Sequence, residues 1–160
     1  GTTIANVEPE TATKFLCRAR DTLGPGAKLI IGVDLPKDEK TLLAAYDDPE
    51  GLAAAFGLNA LARLNREGGA DFDPTGFRYH ATWDRDRQRI DMQLISVRRQ
   101  RLRLEGAGLE FAEGETIHLA SSYKYTPDKF QNLARSAGWE AGRVWMDRDG
   151  LFSIHLLTIL

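Results

Sequence analysis

An apolar run that ends on a carboxylate is one of the few patterns in this chain whose residue types suit chemistry. Asp34 follows directly on the run Ala27 to Val33, and Lys37 and Asp38 come just after it. In open α/β sheets, ligands sit outside the carboxyl ends of the strands. Carboxylates there would position a substrate amine; the plainer reading of Asp34, Lys37 and Asp38 is a solvated charged loop. Three further polar residues have side chains able to hydrogen-bond a small molecule, and from the residues alone the structural reading of each comes first: Asn6, Tyr46 beside Asp47-Asp48, and Ser122 between Ser121 and Tyr123. An amide can meet an ammonium or a carboxylate, and a phenol can donate to a carboxylate while its ring packs. Asn6 stands where it would cap a helix that begins near Glu8, Tyr46 would pack at a helix junction, and Ser122 would bond its strand neighbours.

Other chemistries find less support. His80, His118 and His155 fall on separate expected strands without metal-ligand spacing, so no metal is expected. His118 precedes Ala120 by two and shares its strand face. Cys17 is the one cysteine, which excludes an intrachain disulfide and suits a reducing, cytoplasmic setting. It falls within a helical pattern, as a small packed thiol would. Arg98, Arg99, Arg101 and Arg103 form the one basic cluster, read as a solvated strand face. Nucleic-acid binding would need a wider field and stacking aromatics, and the net charge is -2. No apolar run is long enough to span a bilayer. Neither nucleic acid nor membrane is therefore an expected partner.

The elements that must position these residues follow from the patterning. The chain has 160 residues, 42% hydrophobic and 28% charged, enough for a real core. Glu8-Pro9-Glu10 opens a helix carrying Ala12, Phe15, Leu16, Ala19 and Leu23 at helical spacing, and Gly24 stops it. Ala27 to Val33 then reads as a strand buried on both faces, the rhythm of a doubly wound sheet. Two helices follow, over 38–46 and 49–66. Next, Phe77, Tyr79, Ala81 and Trp83 alternate with polar residues, and so do Ile90, Met92 and Leu94. With a third strand over 115–123 they predict an antiparallel sheet set apart from the parallel one. Thr126-Pro127 opens a last helix ending at Gly138, and Asp149-Gly150 turns a final hairpin.

Five short segments, in order and with similar gaps, resemble one family. They are Gly1-Thr2-Thr3-Ile4-Ala5-Asn6, Gly32-Val33-Asp34-Leu35-Pro36-Lys37-Asp38, Ala45-Tyr46-Asp47-Asp48, Arg89-Ile90-Asp91-Met92 and Ser122-Tyr123-Lys124-Tyr125. The family is that of the histidine-specific N-methyltransferases, which make hercynine on the path to ergothioneine. The resemblance implies an α/β fold: the C-terminal part of a Rossmann-like class I methyltransferase sheet (residues 1–34 and 126–160) with an inserted α+β substrate-binding domain (residues 35–125). It implies S-adenosylmethionine as cofactor, bound mainly by an N-terminal half, with Gly1 as the cofactor contact within this chain. The glycine pattern GxGxx(G/A) is absent here. The chain also starts without Met or a leader pattern, so it is expected to be a portion of a larger protein that pairs with its missing half or self-associates.

By the same resemblance, Asn6 and Tyr46 hold the amino-acid backbone of the substrate, Met92 lines the ring pocket, and Ala120 and Ser122 stand at the ring end. The family has Glu where this chain has Ala120. A carboxylate facing imidazole is typically worth ~1.5–3 kcal/mol; its loss weakens the fit to histidine and widens the pocket toward a ring such as indole. The chemistry implied is methyl transfer from a sulfonium to an α-amine, in which orientation carries much of the barrier. No general base emerges. The alternative is a non-catalytic remnant or subunit that binds a small amino acid or a partner chain.

Overall fold

The structure is a computed structural model that describes residues 2–160. In chain order it comprises a 3-10 turn (Thr3–Asn6), α1 (Pro9–Leu23), β1 (Lys28–Asp34), α2 (Glu39–Tyr46) and α3 (Leu52–Glu67). A second 3-10 turn (Pro74–Gly76) leads into β2 (Phe77–Asp84), β3 (Arg89–Ser96), β4 (Gln100–Leu104), β5 (Ala107–Phe111) and β6 (Thr116–Tyr123). The chain closes with α4 (Pro127–Ser136), β7 (Glu140–Met146) and β8 (Phe152–Thr158). It is a mixed α/β fold that divides into two compact units.

The first unit holds the residues up to Asp38, Arg85–Arg89 and Ser121–Leu160. Its sheet runs β1-β8-β7, and both pairings are antiparallel. Residues alternate faces along a strand, so Ile31 and Val33 of β1 share one face with their β8 partners His155 and Ser153. That face carries the core: Ala12 and Leu16 of α1, Phe130 and Ala134 of α4, and Trp139. Both helices form for the reasons legible in the sequence. Pro9 pre-sets the first turn of α1 with Glu10 beside it. Thr126 caps α4, its hydroxyl accepting from the Lys129 amide at 3.3 Å.

The run at β1 departs from expectation in two ways. It was read as buried on both faces, yet Ile30 is 69% exposed, because α1 and α4 pack on the Ile31–Val33 face. It was also read as part of a parallel sheet. Among the described residues its one strand partner is β8, antiparallel, which leaves β1 an edge.

The second unit holds Glu39–Asp84 and Ile90–Ala120. The sheet β2-β3-β6 contributes its body, β6 belonging to it as far as Ala120. The period-two pattern predicted for β2 and β3 is observed: Phe77, Ala81, Ile90 and Leu94 are buried. Leu61 of α3 packs with Phe72, Phe77 and Leu94, while Leu42 of α2 packs with Ala81 and Ile90.

A further hairpin, β4–β5, pairs Leu102 with Leu109 and turns at Glu105-Gly106, both at positive φ. That is the turn geometry whose twist matches an antiparallel pair. Its outer face bears the arginine cluster in the role expected of it: Arg99 and Arg101 pair with Glu110, and Arg103 Nε lies 3.2 Å from Asp71. No helix among the described residues is long and apolar enough to cross a membrane.

Candidate functional site

A cavity of about 260 Å³ opens in the second unit, and three of the expected substrate residues line it together: Tyr46, Met92 and Ala120. They arrive from three elements. Tyr46 is the last residue of α2, Met92 lies on β3 and Ala120 on β6. The remaining walls come from one stripe of α3, Ala53, Phe56, Gly57 and Ala60, and from Tyr79 and Leu119. The stripe has the i, i+3, i+4, i+7 spacing of one helix face. Its small residues are what leave the space.

Two polar attachments frame this cavity. The Tyr79 hydroxyl donates to the main-chain carbonyl of Tyr46 at 2.8 Å, fixing the end of α2 to β2. Burial, with the carboxylates of Asp47 and Asp48 nearby, pushes the Tyr79 phenol above its ordinary pKa, so it stays a donor. The Asp48 carboxylate accepts from the amides of Leu52 at 2.8 Å and Ala53 at 2.7 Å, which start α3. Those amide bonds hold the Asp48 carboxyl below the usual carboxylate range. The segment Ala45-Tyr46-Asp47-Asp48 thus includes two residues that line the cavity, Ala45 and Tyr46, and one, Asp48, that binds the first amides of the next helix.

Gly57 sets the depth. A Cβ at this position would lie 2.7 Å from Tyr79 Cδ2 and 3.0 Å from Leu119 Cδ1. Only a residue without a side chain lets α3 lie this close to the sheet.

The other expected residues belong to the first unit. Asn6 is exposed at the end of its 3-10 turn. It does not cap α1: the cap position is Glu8, and no side chain bonds the helix amides there. Ser122 is buried and accepts a hydrogen bond from Lys124 Nζ at 2.9 Å. Gly1 lies outside the described residues.

Lys124 is the residue that sequence reasoning left without a role. Its side chain has no exposed surface, and its ammonium lies 2.7 Å from Asp34 Oδ2. Lys37 pairs with the other oxygen of the same carboxylate. The charged segment at the end of β1 is therefore an ordered cluster and not a solvated loop. A lysine between two tyrosines, just ahead of a capped helix, was the available signal: a charge in so apolar a stretch needs a partner. Arg89 and Tyr123, from two more of the five segments, also meet. Arg89 Nη1 donates to the Tyr123 hydroxyl at 2.7 Å and to Glu8 Oε1 at 2.9 Å.

His155 is buried beside Ser153, with Nε2 at 2.9 Å from the serine hydroxyl, and its ring packs on Phe130. This pair sits within the core of the first unit. Asp34, at the end of β1, is taken up by two lysines.

Comparison with known proteins agrees with the sequence pattern. Residues 1–159 match the family model described as histidine-specific methyltransferase, SAM-dependent. The chain is 40% identical over 158 residues to a histidine N-alpha-methyltransferase of Mycolicibacterium smegmatis, covering 98% of this chain and 49% of that protein. It is 38% identical to the histidine N-alpha-methyltransferase of Mycobacterium tuberculosis, over the same shares. The chain thus spans about half the length of the curated relatives it matches. The Ergothioneine biosynthesis protein 1 of Neurospora crassa is 26% identical over 99% of this chain and 18% of its own length. Among solved structures, the CcbJ methyltransferase of Streptomyces caelestis superposes with a TM-score of 0.45 at 11% identity, over 100% of this chain and 58% of the other.

Proposed function

We propose, from the premise that the chain belongs to the family of histidine-specific, S-adenosylmethionine-dependent methyltransferases, that it supplies the amino-acid side of an enzyme that methylates the α-amine of histidine or a related aromatic amino acid. The observation that carries this is the cavity of the second unit. Tyr46, Met92 and Ala120 were singled out for substrate from sequence, and all three line it. In this reading the substrate ring enters between Met92 and the α3 stripe, and Tyr46 lies toward its amino-acid end. Asn6 keeps its proposed substrate role on the family resemblance, while Ser122 is not among the residues that line the cavity and its hydroxyl accepts from Lys124. Residues 35–125 act as an inserted substrate-binding domain.

The methyl donor is held mainly by a half of the protein that corresponds to the rest of the relatives' length. We propose that this half docks on the edge of β1 and on the sheet face bearing Ile30 and Ile154, both exposed apolar residues. The decisive assay incubates the full natural polypeptide with S-adenosylmethionine and each aromatic amino acid, and reads methylated amino acid by mass spectrometry. An α-N-methylated product supports the proposal. No methylated amine with any aromatic amino acid sinks it.

A further inference from the structure

We propose that the cavity of the second unit takes an uncharged benzenoid ring, indole or phenyl, in preference to imidazole, an inference that rests on reading this cavity as the substrate side-chain site. The walls of this cavity lack charge. Among the described residues that line it, none carries a carboxylate, an ammonium, a guanidinium or an imidazole. Of the two phenols that line it, Tyr79 already donates to the Tyr46 carbonyl at 2.8 Å, and the Tyr46 hydroxyl could meet at most one ring nitrogen. An imidazole brings two ring nitrogens that each seek a partner, and a buried polar atom left unmatched costs binding. A benzene ring brings none, and indole brings one.

What the walls do offer suits such a ring. Tyr46, Phe56 and Tyr79 present aromatic surfaces and Met92 a thioether. Aromatic rings favour offset and edge contacts with one another and with sulfur. The small residues Ala53, Gly57, Ala60 and Ala120 leave room between these surfaces. At about 260 Å³ the space falls just below the roughly 300–1,000 Å³ of pockets for whole drug-sized ligands, a size suited to one side-chain ring. Phe56, 83% exposed at the rim, is placed to cover a ring once it has entered.

The full natural polypeptide, methyl-labelled, should be titrated with free indole and, separately, free imidazole while the Met92, Leu119 and Ala120 methyl resonances are followed. Indole should move all three, at an affinity at least tenfold above that of imidazole. Imidazole binding as tightly as indole, or neither ring moving these resonances, overturns the inference. Ala120→Glu places a carboxylate in the cavity and should raise imidazole affinity about tenfold while lowering that of indole; an unchanged ratio counts against the inference. Failure of the parent reading is separately visible. If indole binds here but the full polypeptide methylates no amino acid, the proposed function falls and the ring preference stands. If histidine is methylated in preference to tryptophan and phenylalanine, the ring preference falls and the methyltransferase stands.

Discussion

Lys124 and Asp34 form an ion pair at 2.7 Å in which the lysine side chain has no exposed surface. Removing one partner of a buried pair typically costs about 3–5 kcal/mol, because the other charge is left uncompensated. Asp34 keeps Lys37, so Lys124→Met should cost near the lower end, about 3 kcal/mol. Urea denaturation of parent and variant measures this. A loss under about 1 kcal/mol would mean that the pair adds little beyond what a methionine packs.

Gly57→Ala should close the cavity. Alanine gains up to about 1 kcal/mol over glycine within a helix, but its Cβ would lie 2.7 Å from Tyr79 Cδ2. The Tyr79 ring is held by its bond to the Tyr46 carbonyl and cannot swing away without losing it. Overpacking of this kind costs roughly 1–3 kcal/mol. The net expectation is a loss of about 1 kcal/mol in stability and about a tenfold loss in ring affinity, read by denaturation and by titration with indole. Unchanged affinity would show that the ring does not reach this depth.

His155 should make folding stability depend on pH. Burial holds its imidazole below the ordinary pKa, while in the unfolded chain it titrates near about 6.5. As pH falls below that value, the unfolded state binds a proton that the folded state resists. Stability therefore declines with falling pH from about 6.5 until the folded ring itself protonates. His155→Gln should flatten this part of the profile. Denaturation midpoints measured across the window test it, and parallel profiles for parent and variant would refute the assignment.

Asp48→Ala should loosen the start of α3. The two amide bonds to Leu52 and Ala53 are lost, so hydrogen exchange of the amides over 52–55 should speed up while that of Leu61 and its neighbours holds. The low pKa of this carboxyl gives the same result by titration: the two carboxylate–amide bonds hold above the unfolded carboxylate pKa and are lost as pH falls through the folded one. Exchange that is unchanged over 52–55 would mean that packing alone holds this turn of helix.

Ile30 should promote association. It stands 69% exposed on an edge strand, and unpaired apolar edges recruit other chains. The 160-residue chain should sediment as a dimer or larger species, and Ile30→Lys should shift it toward monomer. A parent chain that stays monomeric at high concentration contradicts this.

How much could be read in advance depended on whether a residue's neighbours were local. α4 was legible end to end, because Thr126, Pro127 and Gly138 act within one turn of themselves. β2 and β3 were legible because alternation needs only the strand itself. The exposure of Ile30 was not, since it depends on which face α1 and α4 cover. Lys124 was missed for the same reason: its partner Asp34 is far away in sequence and meets it through the fold. β4 was read only as a solvated strand face, from the arginines that alternate with Leu102 and Leu104, and its hairpin partner β5 was not read at all. Of the cavity, the family resemblance picked out Tyr46, Met92 and Ala120, while the α3 stripe was read only as part of a helix over 49–66.

The turn between α2 and α3 is fastened on both sides, by Tyr79 on the Tyr46 carbonyl and by Asp48 on the first amides of α3. Those fastenings run through a main-chain carbonyl, two main-chain amides and the side chains of Tyr79 and Asp48, and through no alanine side chain. Ala53, Ala60 and Ala120 can then be exchanged one at a time without unpinning the frame. The shape of the cavity can therefore change by single codons while the turn that frames it stays as it is.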